Sequence, residues 1–397
     1  MAEKPPKIPR NIFIVAFVAL FSGFGQDMIT PVLPAFLALA GLGGAAIGLI
    51  DGLLQGTTSV FRFLSGFASD RLKNRKWFVL SGYALSSVSR PLLALASSFA
   101  PVAALRAIDG VGKGSKDAPR DALVADSAEA GRSGRAFGFQ RMIDTAGSVL
   151  GPLVAAGLLF AFMPSFGTYR LIFALAAIPG AIALILIIFG IREPKRVAAA
   201  PIAQSKGLNW KFWLFTIGMT VAMLTKINDS LFLLRSQQVG VPSGWVPVLF
   251  AGFTLIYAVV SYPIGIWSDR LGKLPMIAGG WLLLSAIEFG FAHDPGLPAA
   301  LALFASYGLF YALTEGSGRA FIADAVEGSS RGTAFGIYYT LTGLAVIAGG
   351  YGLGKIWDVI RPEAAFTAAA AGSFIGFLVF TGLALAKANR SPEKNRA

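Results

Sequence analysis

The chain has 397 residues, of which 55% are hydrophobic and only 14% are charged. A soluble domain carries roughly 25% charged residues, so this chain could not cover a water-facing surface and must contact lipid over most of its area. Its formal net charge of +13 would suggest nucleic acid in a soluble protein, but in a membrane protein the positive-inside rule accounts for it, and no nucleic-acid partner is expected.

The chain lacks the residues on which most metal and nucleophilic sites depend. It has no cysteine and a single histidine, His293. Disulfides, thiolate metal sites, histidine metal clusters and a Ser-His triad are therefore not expected. We predict that the protein holds no metal or cofactor and is not an enzyme.

Twelve apolar segments are long enough to cross a bilayer, which takes about 20 residues. A basic start (Lys4, Lys7 and Arg10) resembles a signal peptide, but the apolar run that follows continues to Leu39 and is too long for one. We therefore expect it to be retained as the first span. The predicted spans are residues 12–38, 46–68, 77–98, 101–124, 137–161, 168–191, 211–235, 245–267, 275–293, 298–322, 334–355 and 364–386.

A polar segment divides the chain into two halves. It predicts a six-helix half over 1–191, a linker over 192–210 and a second six-helix half over 211–397. Most of the 34 lysines and arginines lie in the termini, the linker and the turns after even-numbered spans. Both termini are therefore expected in the cytoplasm. The chain is predicted to be an all-α, multi-pass protein of the plasma (inner) membrane, bound to lipid and monomeric.

Two motifs occur once in each half. Gly66-x-x-x-Asp70-Arg71 returns as Gly265-x-x-x-Asp269-Arg270. Further along, an Ala-Asp-x-x-Glu motif at Ala125 returns at Ala323. Such internal repeats in a mostly apolar chain are typical of transporters whose substrate path lies between the halves.

Charged residues inside the spans identify the candidate site. A charge at the bilayer centre costs about 2.5–3.5 kcal/mol or more, so it must pair with an opposite charge or line a wet cavity. Arg106, Asp109 and Lys113 share one face of span 4, and Asp27 lies mid-way along span 1. Neutralisation within one helix is an alternative for Lys226 with Asp229 and for Glu315 with Arg319. The predicted solute and proton-coupling residues are Asp27, Arg62, Arg90, Arg106, Asp109, Lys113, Lys226, Asp229, Glu288 and Glu315.

Three motifs resemble those of the major facilitator superfamily of transporters. The first is G-x-x-x-D-R-x-x-x-[RK], the second is the R-x-x-x-G-x-G run that begins at Arg106, and the third is G-x8-G-x3-G-P in span 5. In this family the first motif acts as a cytoplasmic gate, and the third is associated with exporters that exchange solute for protons. The resemblance implies gating by Gly66, Asp70, Arg71, Arg75, Gly265, Asp269 and Arg270. It implies a helix-packing motif at Gly138, Gly147, Gly151 and Pro152.

The sequence therefore predicts a secondary transporter that moves a small organic solute by alternating access, with proton-coupled efflux as the preferred mechanism. One alternative is a carrier of organic anions or metabolites with a basic central cavity, because several basic residues lie inside the spans. A second alternative is a transporter-like sensor or partner protein that no longer transports.

Overall fold

The structure is a computed structural model that describes residues 9–71, 75–127, 133–192, 208–293, 295–326 and 331–389. Throughout these ranges the secondary structure is helical, without β-strands. The helices are α1 (Arg10–Ile29), α2 (Leu33–Leu39), α3 (Gly44–Arg71), α4 (Arg75–Leu92) with a 3-10 turn (Leu93–Leu95), α5 (Phe99–Ser127), α6 (Ser133–Phe162), α7 (Phe166–Leu175), α8 (Ala177–Gly190), α9 (Trp210–Thr225), α10 (Asp229–Gln238), α11 (Val246–Leu271), α12 (Lys273–Ala292), α13 (Gly296–Ala325), α14 (Arg331–Val359) and α15 (Pro362–Asn389).

These helices form the twelve predicted spans. Spans 1, 6 and 7 are each broken into two helices: α1 and α2, α7 and α8, and α9 and α10. In the described part of the chain, ten spans are long and apolar enough to cross a membrane by length and composition. The other two are α3 and α5, which are 28 and 29 residues long. They are less apolar because they carry charged residues, several of which are buried, such as Asp51 in α3 and Arg106 and Asp109 in α5.

The breaks in spans 1 and 7 have different local causes. Span 1 breaks around Pro31, whose ring removes a backbone donor and cannot continue a helix. Span 7 breaks over Lys226–Asn228 without a proline. There Asn228 starts the next helix, because its side-chain oxygen accepts a hydrogen bond from the backbone N–H of Leu231 at 3.3 Å.

The chain forms two compact units. The first unit comprises Met1–Thr30 and Thr57–Pro201, and the second comprises Pro31–Gly56 and Ile202–Ala397. The segment Pro31–Gly56 thus clusters with the second unit, although it belongs to the first half of the sequence. The division of the sequence into halves at 191 and 211 stays a prediction.

In the first unit, α1 packs against α6 and α8, and α4 packs against α5 and α8. The apolar core between them includes Val15, Val79 and Tyr83, together with Leu123 and Ile187. In the second unit, α12 packs against α13 and α15, α11 packs against α13, and α9 packs against α14 and α15. Aromatic rings fill much of that core, as in the edge-to-face contact of Phe232 with Phe291.

The glycine motif of span 5 brings α6 close to α1. A Cβ atom on Gly147 would lie 2.1 Å from the carbonyl oxygen of Leu20, and one on Gly151 would lie 2.3 Å from another carbonyl oxygen of α1. Small residues allow membrane helices to approach in this way. Gly138 has open space at its Cβ position. The close contact therefore depends on Gly147 and Gly151, with Pro152 beside them in α6, and not on Gly138.

We expect Gly147→Ala to lower the thermal unfolding temperature of the detergent-solubilised protein, because its methyl group would force α6 away from α1. Overpacking of this kind costs about 1–3 kcal/mol. The matched control is Gly138→Ala, whose methyl group meets nothing within 4 Å and should leave the unfolding temperature unchanged. Equal unfolding temperatures for the two variants would show that the α1–α6 contact is not as tight as described.

Candidate functional site

Asp109 of α5 is the centre of a buried ionic cluster in the first unit. The Nε atom of Arg90 in α4 donates to both carboxylate oxygens at 3.1 and 3.2 Å, and Nη1 of Arg106 lies 3.4 Å from Oδ2. Arg90 also donates to the carbonyl oxygen of Ser22 at 2.9 Å and to Oε1 of Gln26 at 3.1 Å. The three charged side chains are at most 3% exposed. We refer to these five residues as the Asp109 cluster.

A second ion pair in the same unit joins α3 to α5. Arg62 has no acid in its own part of α3, but its Nη2 atom lies 2.5 Å from Oδ2 of Asp117, and Nη1 of Arg120 lies 3.6 Å from Oδ1. Arg90 likewise obtains its acid from α5. The charged face of α5 therefore neutralises arginines of neighbouring helices. Such pairing depends on tertiary contacts, so periodicity within one helix does not reveal it.

Lys116 is a buried cation next to the Asp109 cluster. Its ammonium group donates to the Ser22 hydroxyl at 2.9 Å and lies 3.9 Å from the centre of the Tyr83 ring. A cation over an aromatic face is stabilised by the ring quadrupole. Among the described residues, Lys116 is the third buried cation of the first unit besides Arg90 and Arg106, and the same unit buries the carboxylates of Asp27, Asp109 and Asp117.

Asp27 is a buried carboxylate without a close cation. It is 6% exposed, and within the described part of the chain no Lys or Arg nitrogen lies within 4 Å of it. Its hydrogen bonds with Gln26 and Thr30 are long, at 3.4 Å each, and the hydroxyl of Ser148 in α6 also acts on it. Lys113 is half-buried and forms no ion pair with a described residue. Its positive charge attracts the Asp27 carboxylate from a longer distance. The carboxylate of Asp27 is thus held loosely compared with that of Asp109.

In the second unit, the break in span 7 is held by a carboxylate from another helix. Glu288 of α12 accepts a hydrogen bond from the backbone N–H of Ile227 at 3.2 Å and another from the Ser373 hydroxyl of α15 at 2.6 Å. Glu288 is fully buried, with 0% exposure. Asn228 fixes the other side of the break, since its amide donates to the carbonyl oxygen of Gly48 at 3.0 Å.

The break places Lys226 and Asp229 in one polar network. The Nζ atom of Lys226 lies 3.2 Å from Oδ1 of Asp229 and donates to the Tyr307 hydroxyl at 2.6 Å. Tyr307 and Tyr311 of α13 donate to the Asp229 carboxylate at 2.5 and 2.9 Å. The predicted neutralisation of Lys226 by Asp229 is therefore present, but the two tyrosines add donors that a local pair would lack. We refer to these four residues as the Asp229 cluster.

One face of α13 extends this cluster towards more exposed positions of the same helix. Residues 307, 311, 315 and 319 follow at intervals of four, so they lie on the same side of the helix. Glu315 accepts a hydrogen bond from the Tyr257 hydroxyl at 2.5 Å and lies 3.2 Å from Arg319. Burial decreases along this face, from the buried Tyr307 to the exposed Arg319.

The predicted gate is described in part. The side chains of Asp70, Arg71 and Arg75 and the surroundings of Gly66 lie outside the described residues, although the backbone at these positions is helical. In the second copy, Gly265, Asp269 and Arg270 are exposed at the end of α11. Two further residues of the repeated motifs meet in that unit, because Lys273 forms an ion pair with Asp324.

The sequence did not identify several partners of the charged residues. Ser22, Gln26 and Ser373 are uncharged and have no distinctive spacing, so nothing in the sequence distinguishes them. The tyrosines of α13 could have been found from their four-residue spacing to Glu315. Within the described part of the chain, no group of His, Cys, Asp or Glu residues could hold a metal ion. The contacts described in both units are ion pairs and hydrogen bonds.

The sequence profile described as Major Facilitator Superfamily matches residues 15–234 and again residues 214–397. The chain belongs to the Major Facilitator Superfamily. Its fold of twelve transmembrane helices in two related halves and its repeated motifs are those of a transporter of this superfamily, as the sequence predicted.

Relatives agree with this assignment. The chain is 30% identical over 373 residues to an uncharacterized MFS-type transporter of Methanocaldococcus jannaschii, and the match covers 92% of each protein. It is 25% identical over 219 residues to the quinolone resistance protein NorA of Staphylococcus aureus, which covers 54% of this chain and 55% of NorA. The fold is similar to that of the nucleoside transporter NupG, with a TM-score of 0.80, 15% identity and coverage of 94% and 99% of the two chains.

We expect Asp109→Asn to destabilise the folded protein strongly, because Arg90 and Arg106 would be left buried without their acid. Removing one partner of a buried ion pair costs about 3–5 kcal/mol. The matched control is Asp121→Asn in the same helix. Asp121 pairs with Arg120, but its side chain is 51% exposed, and exposed pairs contribute only about 0–1 kcal/mol.

The readout is the thermal unfolding temperature of both purified variants. A large decrease for Asp109→Asn and little change for Asp121→Asn are expected. An Asp109→Asn protein as stable as the control would instead indicate that the Asp109 cluster is open to water and available to solute.

Proposed function

We propose that the protein is a proton-coupled exporter of a small organic solute, and that Asp27 is its proton-exchanging carboxylate. The observation that carries the proposal is the environment of Asp27: a carboxylate in the middle of a span, nearly excluded from solvent, with long hydrogen bonds to its own helix and no cation within 4 Å among the described residues. A charge in that position must be neutralised by a proton or by a cationic solute.

The contrast with Asp109 supports a coupling role for Asp27 in preference to the Asp109 cluster. Asp109 is bound by two arginines, and one of them is also fixed to α1 through Ser22 and Gln26. Opening that cluster would leave buried charges without partners, which is costly. Asp27 can gain or lose a proton without breaking an ion pair. The protonation state of its carboxylate can therefore change during a transport cycle.

In the second unit, the Asp229 cluster and the face of α13 offer a path for the solute. The face leads from the buried Tyr307 through the half-buried Tyr311 to the exposed Glu315 and Arg319. Tyrosine rings supply apolar surface and their hydroxyl groups supply hydrogen bonds, a combination suited to small organic molecules. We propose that Lys226, Asp229 and Glu315 contact solute there.

Export across the inner membrane, with both termini in the cytoplasm, is the proposed direction and placement. The glycine motif of span 5 and the partial similarity to NorA support export, and the distribution of basic residues supports the topology. The proposed cytoplasmic gate consists of the repeated motif residues Gly66, Asp70, Arg71, Arg75, Gly265, Asp269 and Arg270.

We expect Asp27→Asn to abolish proton-driven transport while leaving exchange of solute for solute intact. Asparagine keeps the size and polarity of the side chain but cannot carry a proton on and off. The assay uses proteoliposomes with an imposed pH gradient and a fluorescent quinolone as the first solute. Gradient-driven accumulation should fall at least about tenfold, equivalent to about 1.4 kcal/mol, whereas counterflow without a gradient should persist.

The exposed Asp121→Asn variant serves as the control for reconstitution and should accumulate the quinolone like the parent protein. An Asp27→Asn protein that retained full gradient-driven accumulation would refute the assignment of Asp27.

A further inference from the structure

The break in span 7 contains a backbone donor that depends on a carboxylate of another helix. Lys226 and Asn228 have extended backbones, with ψ of 124° and 162°, so the N–H of Ile227 cannot reach a carbonyl group one turn earlier. Buried N–H groups need a partner. For Ile227 that partner is the Glu288 carboxylate. The geometry of the break therefore depends on the side chain of Glu288.

Glu288 has hydrogen-bond donors but no close counter-ion. It accepts from Ile227 and Ser373, and no Lys or Arg nitrogen of the described residues lies within 4 Å of it. The positive charge of Lys226 in span 7 attracts the Glu288 carboxylate. Lys226 is itself bound to Asp229 and Tyr307. A buried carboxylate in this setting retains its charge only at a cost, because no opposite charge offsets its removal from water.

The other elements around α12 bring few further charges. Tyr307 of α13 is hydrogen-bonded to Lys226 and Asp229. From α15, Glu363 is paired with Arg235 at 2.8 Å. The charged residues of α11, Asp269 and Arg270, lie at its exposed end.

We propose that Glu288 is a positioning residue of the transport cycle: its uptake of a proton removes the break in span 7, its release of the proton restores the break, and the change moves Lys226 and Asp229. The inference rests on the proposed proton coupling, but it assigns a second proton-exchanging group, in the second unit, that acts on the backbone and not on the solute.

The step requires only a proton and a change of hydrogen bonds. When Glu288 is charged, both oxygens accept, and the bond from Ile227 is strengthened by the charge. A proton added to one oxygen turns it into a donor towards the Ser373 hydroxyl oxygen, and the other oxygen accepts from Ile227 without charge assistance. The weaker bond allows the Ile227 N–H to return to the carbonyl oxygen of Met223, four residues earlier, as in a continuous helix. Release of the proton restores the break.

The chain has no cysteine, so cysteines introduced at chosen positions can be labelled specifically. The movement can then be measured with the labelled protein alone, without a solute. Spin labels attached to Val221→Cys in α9 and Gln238→Cys in α10 flank the break, and both positions are exposed. A continuous helix between them would rise about 26 Å. The distance between the labels is measured by pulsed electron paramagnetic resonance in lipid nanodiscs at pH 5.5 and pH 8.5, with the proton as the only ligand.

We expect two distance populations in the otherwise unaltered protein, with the broken form favoured at pH 8.5 and the continuous form at pH 5.5. Glu288→Gln, which is uncharged at both pH values, should show the low-pH population at both. The proposal is overturned if the distances of the parent protein do not change with pH, or if Glu288→Gln follows the same pH response as the parent.

Two further variants separate this proposal from loss of folding and from the proposed function. Ser373→Ala keeps the Glu288 carboxylate but removes a donor that stabilises its charged form. The pH at which the broken and continuous forms are equally populated should therefore rise; an unchanged midpoint contradicts the proposal.

Asp27→Asn should retain the full pH response of the labels, since Asp27 lies in the other unit. Loss of that response in Asp27→Asn would assign the proton to Asp27 and overturn the role of Glu288.

Discussion

The cost of burying charge in a membrane protein is the constraint on which the rest of this structure depends. A buried charge must meet an opposite charge, a set of hydrogen-bond donors or acceptors, or a proton. Asp109 meets Arg90 and Arg106, Asp117 meets Arg62 and Arg120, and Asp229 meets Lys226 and two tyrosines. These contacts join α4 and α3 to α5 in one unit, and span 7 to α13 in the other. The interactions that neutralise the buried charges therefore also hold neighbouring helices together.

The carboxylates of Asp27 and Glu288 are the described exceptions from which the functional proposals follow. Each is buried, each has hydrogen bonds, and neither has a cation within 4 Å among the described residues. Both lie in or against a broken span: Asp27 precedes the break in span 1, and Glu288 holds the break in span 7. At the break in span 7 the interrupted helix exposes the backbone N–H of Ile227, which Glu288 binds. Asp27 instead accepts hydrogen bonds from the side chains of Gln26 and Thr30. Neither carboxylate would disrupt an ion pair of its unit by exchanging a proton.

Much of the fold could be predicted from the sequence, because hydropathy and length alone define spans and because the repeated motifs define two halves. The break in span 1 was also accessible, since Pro31 marks it. The break in span 7 was not, because it has no proline and depends on Glu288 and Asn228, whose partners lie far away in the chain. The acidic partners of Arg62 and Arg90 could not be predicted for the same reason. The pair of Lys226 with Asp229 could be predicted, because the two residues are three positions apart in the sequence. The tyrosines of α13 could have been inferred from their alignment with Glu315, but their hydroxyl donors to Asp229 required the packing of span 7 against α13.

In the proposed function, proton exchange on Asp27 is coupled to binding of the solute. The most direct test is a thermal-shift screen of the purified protein against matched organic cations and organic anions at pH 6 and pH 8, because a ligand that binds only the native state raises its unfolding temperature. We expect stabilisation by cations that is larger at pH 8 than at pH 6, since exchange of a proton for solute requires the deprotonated protein to bind the solute more tightly. Stabilisation by anions alone would contradict it and would assign the solute to the buried cations Arg90, Arg106 and Lys116.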